Sequence, residues 1–339
     1  MRKHVVVIGA GPAGLETSAI LAKLGFKVTL VEKEEIAGGH LKKWHALFPT
    51  LISGHHAIDA IISGLSEDVR IRFGTKVTGL EVVNDYFTIS GHNGWQEKAD
   101  AVVITTGFQL FDAHRKEEYG YGIYENVITS ADLEELFASG KELVNRQGNK
   151  PGRVGFVHCV GSRDEKVNNL HCSKVCCITA VKQAIEVKQL LPDAEVFCFY
   201  MDLRMFGRHY EDLYKEAQEK YNIQFIRGRL SESAEDIDGN IVVKVEDTLL
   251  GKPLRLKVGL LVLMAGMEPH PDTQSLTTKL GFKKVPDRFI QPLDELLLAN
   301  CTEIPGVFIA GACSGPKSVS DTLSDARSAA LAVAGYLKL

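Results

Sequence analysis

No stretch of these 339 residues approaches the run of about 20 apolar positions that a membrane-crossing helix requires. An excess of one charge is missing as well. Lys and Arg number 39 against 43 Asp and Glu, and the net −4 points to neither nucleic acid nor an anionic membrane surface. There is no repeat of solenoid length, no low-complexity tract and no long charge block, which excludes repeat arrays and disordered scaffolds. A secretory signal is also lacking, since the apolar run Val5-Val6-Val7-Ile8 ends in glycines where a signal would end in a small-residue cleavage site. The expectation is a cytoplasmic protein whose seven cysteines stay reduced. What is present, 45% hydrophobic and 24% charged residues over this length, suits a soluble chain of two domains.

Apolar strands alternate with amphipathic helices, which predicts an α/β fold with parallel sheets. Strand 4–8 leads into a helix over about 12–24 with Leu15, Ala19, Ile20 and Leu24 facing inward, and strands 27–32 and 101–104 follow. The polar stretch 140–152 reads as a linker. Beyond it the pattern restarts with strand 153–158, helix 173–191, strand 195–200, helix 211–220, strand 224–227, a hairpin near 240–257 and strand 260–264. Strand 307–311 and a final helix of 320–337, N-capped by Ser320, return the chain to the first domain. The expected division is 1–150 with 270–339, and 151–269 as a second Rossmann-like domain.

Gly9-Ala10-Gly11-Pro12-Ala13-Gly14 follows a strand and opens a helix, and Glu32 ends the next strand. Gly9 permits a tight turn, Gly11 lets backbone approach a pyrophosphate, and Gly14 allows close helix–strand packing. The helix N-terminus offers free N–H groups and the positive end of its dipole to phosphate, and Glu32 is placed for ribose hydroxyls. A glycine triad alone is a weak signal, but with its full strand–turn–helix–strand–acid context it is a strong one. A second glycine pair, Gly38-Gly39, and the returning segment ending Gly311-Ala312 favour an extended flavin, FAD, over NAD. Lys33, Gly39, His40, Val77, Thr106, Gly107, Gly311 and Ala312 complete the expected lining. This arrangement resembles the flavoproteins with two dinucleotide-binding domains of the thioredoxin-reductase and glutathione-reductase type. Their usual C-terminal Gly-Asp is here Gly311-Ala312, so that acid contact must be replaced or lost.

Four cysteines crowd into Cys159-x12-Cys172-x3-Cys176-Cys177, where a second domain of this type would carry its NAD glycine loop, and no G-x-G-x-x-G stands there. Four thiolates are the complement of a [4Fe–4S] cluster or of structural zinc. The vicinal pair is awkward for a zinc clip, and a catalytic dithiol would more naturally be the absent C-x-x-C. Iron–sulfur is the favoured reading, with zinc, a dithiol and simple packing as rivals. Cys198, Cys301 and Cys313 read as packing residues, and His55-His56 as a solvated loop pair.

The combination resembles the A-type subunits of the heterodisulfide reductase family. The resemblance rests on Cys159-Val160-Gly161-Ser162-Arg163-Asp164-Glu165 and Cys172-Ser173-Lys174-Val175-Cys176-Cys177. Phe111-Asp112, Arg115-Lys116-Glu117-Glu118-Tyr119-Gly120-Tyr121-Gly122, Tyr200-Met201-Asp202 and Gly315-Pro316-Lys317 extend it. It implies FAD beside a [4Fe–4S] cluster on Cys159, Cys172, Cys176 and Cys177, with Lys182 near the flavin N5, where a cation favours reduced flavin. Large members add C-x-x-C-x-x-C-x-x-x-C-P modules and an inserted cluster region, and neither is present. The chain therefore looks like a short form, similar to those of sulfur-oxidising prokaryotes. That implies an oxidoreductase working with B- and C-type partner subunits, as a homodimer, in thiol–disulfide or sulfane-sulfur chemistry. NAD(H) stays open as a donor, and a self-contained NAD(P)H-dependent disulfide reductase is the rival function.

Overall fold

In the computed structural model, which describes residues 2–83 and 86–338, the chain folds as two compact units. The first comprises Met1–Lys42, Gly54–Gln109 and Glu268–Leu339, the second Lys43–Ser53 and Leu110–Met267. Each is built on a five-stranded parallel sheet. The first runs in the order Val307–Ile309, Ala101–Ile104, His4–Ile8, Lys27–Val31, Val69–Arg72. The second runs Val127–Thr129, Leu260–Ala265, Arg153–Val160, Glu195–Tyr200, Gln224–Arg227. The central strands are buried almost throughout, as β-branched runs in a sheet covered on both faces must be. Each unit adds a three-stranded antiparallel sheet, Val77–Val83 to Gln96–Ala99 in the first and Leu230–Glu235 to Lys252–Val258 in the second. The α/β architecture with two dinucleotide-binding-type sheets is thus as expected.

In the first unit the helix Pro12–Lys23 starts on proline, whose missing N–H costs nothing at a helix start. Its inward face differs from the expected one. Leu15, Ser18, Ala19 and Ala22 are buried, whereas Ile20 and Leu24 stay half-exposed. Small residues there admit the C-terminal helix Val319–Tyr336, and the Thr17 hydroxyl donates to Ala326 O at 3.3 Å. That helix is capped by Ser318, not Ser320. Ser318 Oγ accepts from Asp321 N and the Asp321 carboxylate accepts from Ser318 N, a reciprocal capping box. Ser318→Ala is expected to cost about 1 kcal/mol, read as a lowered denaturant midpoint with an unchanged slope.

The expected boundary at residue 150 moves to 109/110. Val127–Thr129 is an edge strand of the second sheet, in register with Leu261, Val262 and Leu263. The following helix Ser130–Ser139 buries Leu133 and Phe137 in the same core as Val154 and Val262. Stretch 140–152 therefore lies within the second unit and links no domains; Arg146 N donates to Asn126 Oδ1 at 2.7 Å. His55 and His56 begin a helix, Gly54–Ser63, where both are exposed, so the expected loop is helical. Among the described residues no helix is long and apolar enough to cross a membrane.

Candidate functional site

Two sites follow from the same topology, one at the end of each unit's central strand. In the first unit Gly9 turns the chain with φ +105°, and Gly9 N–H donates to Val31 O. The Thr105 hydroxyl lies 2.8 Å from Ile8 O and 2.9 Å from Gly9 O, pinning the turn to the neighbouring strand. A Cβ on Gly14 would stand 1.9 Å from Gly9 O, so helix and turn are packed backbone to backbone. Around Gly11 the reverse holds, since a Cβ there meets nothing within 4 Å. No side chain caps the helix above it, and its first-turn N–H groups are left to a ligand.

The flanking residues complete this cradle. Glu32 is buried, and its carboxylate accepts from Ala10 N at 2.6 Å and Glu34 N at 2.9 Å. Gly38 N–H donates to Ala10 O, and a Cβ on Gly39 would approach Gly11 Cα at 3.3 Å. Gly311, at φ +79°, sits against Ala13, 2.7 Å from where its own Cβ would be. Ala312 is buried beside it, and Thr106 Cα lies 3.3 Å from a Cβ built on Gly9. Gly107 is also left-handed, with open space around it. The contacts of Lys33, His40 and Val77 lie elsewhere. Lys33 Nζ meets His270 Nε2 at 2.9 Å and Asp272 at 3.3 Å. His40 stacks on Phe108, and Val77 packs into the core beneath the antiparallel sheet. The cradle fits the diphosphate of a dinucleotide.

Sequence reading missed Asp325. From the C-terminal helix its carboxylate accepts from Gly311 N at 2.8 Å and Asn300 Nδ2 at 2.7 Å, and pairs with Lys317 at 3.3 Å. An acid absent at position 312 is thus supplied to the loop backbone by Asp325, fourteen residues beyond Gly311, at a spacing no local motif reveals. Cys313 is fully buried, its thiol bonded to Ile104 O and Ala310 O, and burial pushes its pKa up to about 12. It is a packing residue.

In the second unit the central strand carries a bulge between Val157 and Val160, with Cys159 at φ +59°. Bulges re-aim side chains. Here Val157 packs in one core, while Cys159 joins the other, where Cys176 and Cys177 begin the helix Cys176–Leu190. The helix starts three residues later than expected because Lys174, at φ +59°, breaks it. Cys159 Sγ and Cys176 Sγ are 4.0 Å apart. Cys177 Sγ donates to Asp202 O at 3.5 Å, and half-buried Cys172 accepts from Lys174 N at 3.3 Å. The hydrogen bond from Cys176 is the main cause that lowers the Cys159 and Cys177 pKa values, and Cys176 itself rises. The uncapped helix N-terminus also favours thiolate.

Several of the other family-matching residues brace this loop. Lys116, 2% exposed, pairs with equally buried Asp164 at 2.7 Å, and Arg229 reaches the same carboxylate at 2.7 Å. A Cβ on Gly161 would fall inside the Phe111 ring, 2.0 Å from its nearest atom. Tyr119 is buried, and Tyr121 and Tyr124 pack on the same core. Arg163 pairs with Asp202 at 2.7 Å and faces both Cys159 and Cys172. Its Nη1 is buried without a partner, and neither buried ring nitrogen of His158 makes a hydrogen bond of ordinary length and angle. Among the described residues no three His, Cys, Asp or Glu side chains stand together as on one metal ion. Four thiols with buried donors beside them fit an anionic cluster that takes one thiolate per iron.

Lys182 lies one and a half turns into this helix, 1% exposed. Its amine pairs with Glu134 and stands 2.9 Å from Glu186 Oε2, close enough for charge attraction though not aligned as a hydrogen bond. His45 Nδ1 meets the other oxygen of Glu186 at 2.9 Å, and Gln183 donates to Glu134 at 2.7 Å. Burial pushes the Glu186 carboxyl up.

Known proteins resemble the chain both in sequence and in fold. Residues 2–144 match the family model described as pyridine nucleotide-disulphide oxidoreductase. The chain is 33% identical to the iron-sulfur A-type subunit of the CoB–CoM heterodisulfide reductase of Methanocaldococcus jannaschii, over 98% of this chain and 64% of that protein. It is 34% identical to the corresponding A-type subunit of the H(2)/formate:CoB-CoM heterodisulfide,ferredoxin reductase of Methanococcus maripaludis, with the same coverage. The first alignment runs over 418 positions against 339 residues here, so the relative holds inserted residues that this chain lacks. Among solved structures, thioredoxin reductase of Lactococcus lactis superposes with a TM-score of 0.71 at 20% identity over 100% of both chains. That of T. acidophilum gives 0.68 at 19%, covering 98% of this chain and 99% of that one. The fold is that of the thioredoxin reductases, and in sequence the chain is a relative of the heterodisulfide reductase A-type subunits that spans 64% of the length of those first two relatives.

Proposed function

We propose that this chain is an electron-transfer oxidoreductase subunit carrying FAD on the Gly9–Gly14 cradle and a [4Fe–4S] cluster on Cys159, Cys172, Cys176 and Cys177. The observation that carries it is positional. Cys159 is the penultimate residue of the second central strand and Gly9 directly follows the first, so a cysteine motif occupies the place of a second glycine loop. Bound FAD exchanges electrons singly or in pairs and a cluster exchanges them singly. The chain's own residues hold these groups and tune them. Gly11 and the helix start accept phosphate, Glu32 and Asp325 fix the surrounding loops, and Lys182, 1% exposed between the Glu134 and Glu186 carboxylates, holds the core of the second unit together and leaves no free charge for a flavin. We place the chain in a heterodisulfide-reductase-like complex, as a homodimer with B- and C-type subunits, in thiol–disulfide or sulfane-sulfur oxidation. The names of its relatives support the heterodisulfide part.

Cys176→Ser protein is expected to keep its yellow flavin absorbance and to lose most of its iron, because Cys176 lies closest to a second cysteine and begins the helix. Stepwise anaerobic reduction of the wild type tests the function itself. Bleaching of the flavin band together with a low-temperature electron paramagnetic signal supports it. Flavin that is bleached by NAD(P)H in iron-free protein, with reduction of a Cys159–Cys176 pair, would instead make the chain a self-contained disulfide reductase.

A further inference from the structure

Beside the cysteine centre lies a side chain that the proposed function does not use. His158 precedes Cys159 on the central strand and is 6% exposed. Neither of its buried ring nitrogens makes a hydrogen bond of ordinary length and angle, in a class of group of which roughly nine in ten are paired. A leucine of similar size would fill this core without the cost of burying a polar ring. The polar groups it faces are the sulfurs of Cys177 and Cys198. A cavity about the size of one water molecule, lined by Tyr119, His158, Cys159 and Arg229, opens beside it.

We propose that His158 is a positioning residue for the cysteine centre: one ring N–H donates to the sulfur of Cys177 when that sulfur is a cluster ligand. The inference rests on the proposed cluster. A donor on a ligating sulfur disperses its negative charge and stabilises the more negative, reduced state. The ring therefore raises the potential of the centre. Cys198 lies on the neighbouring strand, in register with Phe156, and is not among the four proposed ligands. It is the alternative partner, in which case His158 would serve packing alone.

The test uses the full chain, purified anaerobically, with cluster potential read by electron paramagnetic titration. His158→Leu is expected to disfavour reduction about tenfold, 59 mV for a one-electron couple, with four irons retained. His158→Gln, which keeps an N–H, should recover at least half of the shift, and Cys198→Ala should leave the potential where it is. An iron-loaded His158→Leu protein with wild-type potential overturns the proposal, as does a Cys198→Ala shift equal to that of His158→Leu. If His158→Leu does not fold, wild-type protein labelled with ¹⁵N-histidine decides. A nitrogen coupling to the reduced cluster that disappears in His158→Gln or weakens there supports it, and no coupling overturns it. Wild type without iron would sink the cluster reading itself, a result distinct from all of these.

Discussion

Gly14→Ala protein is expected to fold poorly and to purify without flavin, whereas Gly11→Ala protein should fold normally and lose flavin only. The difference comes from what each new methyl group meets. At Gly14 it would lie 1.9 Å from Gly9 O and 2.8 Å from Thr105 Oγ1, and the first of these is backbone at the end of the central strand. Helix and strand must separate, which opens the turn and strains a core without slack, at a cost of about 1–3 kcal/mol or more. At Gly11 the methyl meets nothing within 4 Å and φ is −76°, a value any residue adopts. The protein without ligand is then undisturbed, while the space needed by a pyrophosphate is partly filled. Flavin absorbance after desalting, beside a thermal melt, separates the two. Equal retention of flavin in both variants would mean that the cradle does not hold it.

Lys182→Met is expected to destabilise the second unit strongly. The amine is 1% exposed, and the Glu134 and Glu186 carboxylates around it are 6% and 7% exposed. Removing it leaves two buried like charges facing each other, and breaking a buried pair in this way costs about 3–5 kcal/mol. The pH dependence follows from Glu186. Burial raises its pKa in the folded protein, and loss of Lys182, which lowers it, raises it further. The folded state then binds a proton more readily than the unfolded chain. The deficit is therefore full above the folded pKa and shrinks as pH falls toward the ordinary carboxylate range. Denaturant melts of wild type and variant at several pH values should converge on the acid side. Adding Glu134→Gln to Lys182→Met should recover part of the loss at neutral pH, and a deficit that grows on acidification would contradict this account.

Much of this was readable in the residues, and the limits have physical causes. Strands 4–8, 101–104, 195–200 and 224–227 stand where their β-branched and aromatic runs predict, because a buried parallel strand leaves an unbroken apolar signature. The glycine cradle was readable because each glycine is needed for a local backbone reason. The domain boundary was not. Val127–Thr129 joins a sheet strand about 130 residues on, and such pairing has no local signal. The same holds for Asp325 at Gly311 and for Lys116 against Asp164. The late start of the cysteine helix depends on a lysine in a left-handed conformation, which composition does not announce. Lys182 was picked out by resemblance, but its two buried carboxylates come from another helix and from its own next turn.

The central claim is that a cysteine centre holding iron replaces the second nucleotide loop of a flavoprotein. Analysis of iron, acid-labile sulfide and flavin on anaerobically purified protein tests it most directly. The account predicts four irons, four sulfides and one FAD per chain. Stoichiometric zinc, or a flavoprotein with no metal at all, would contradict it.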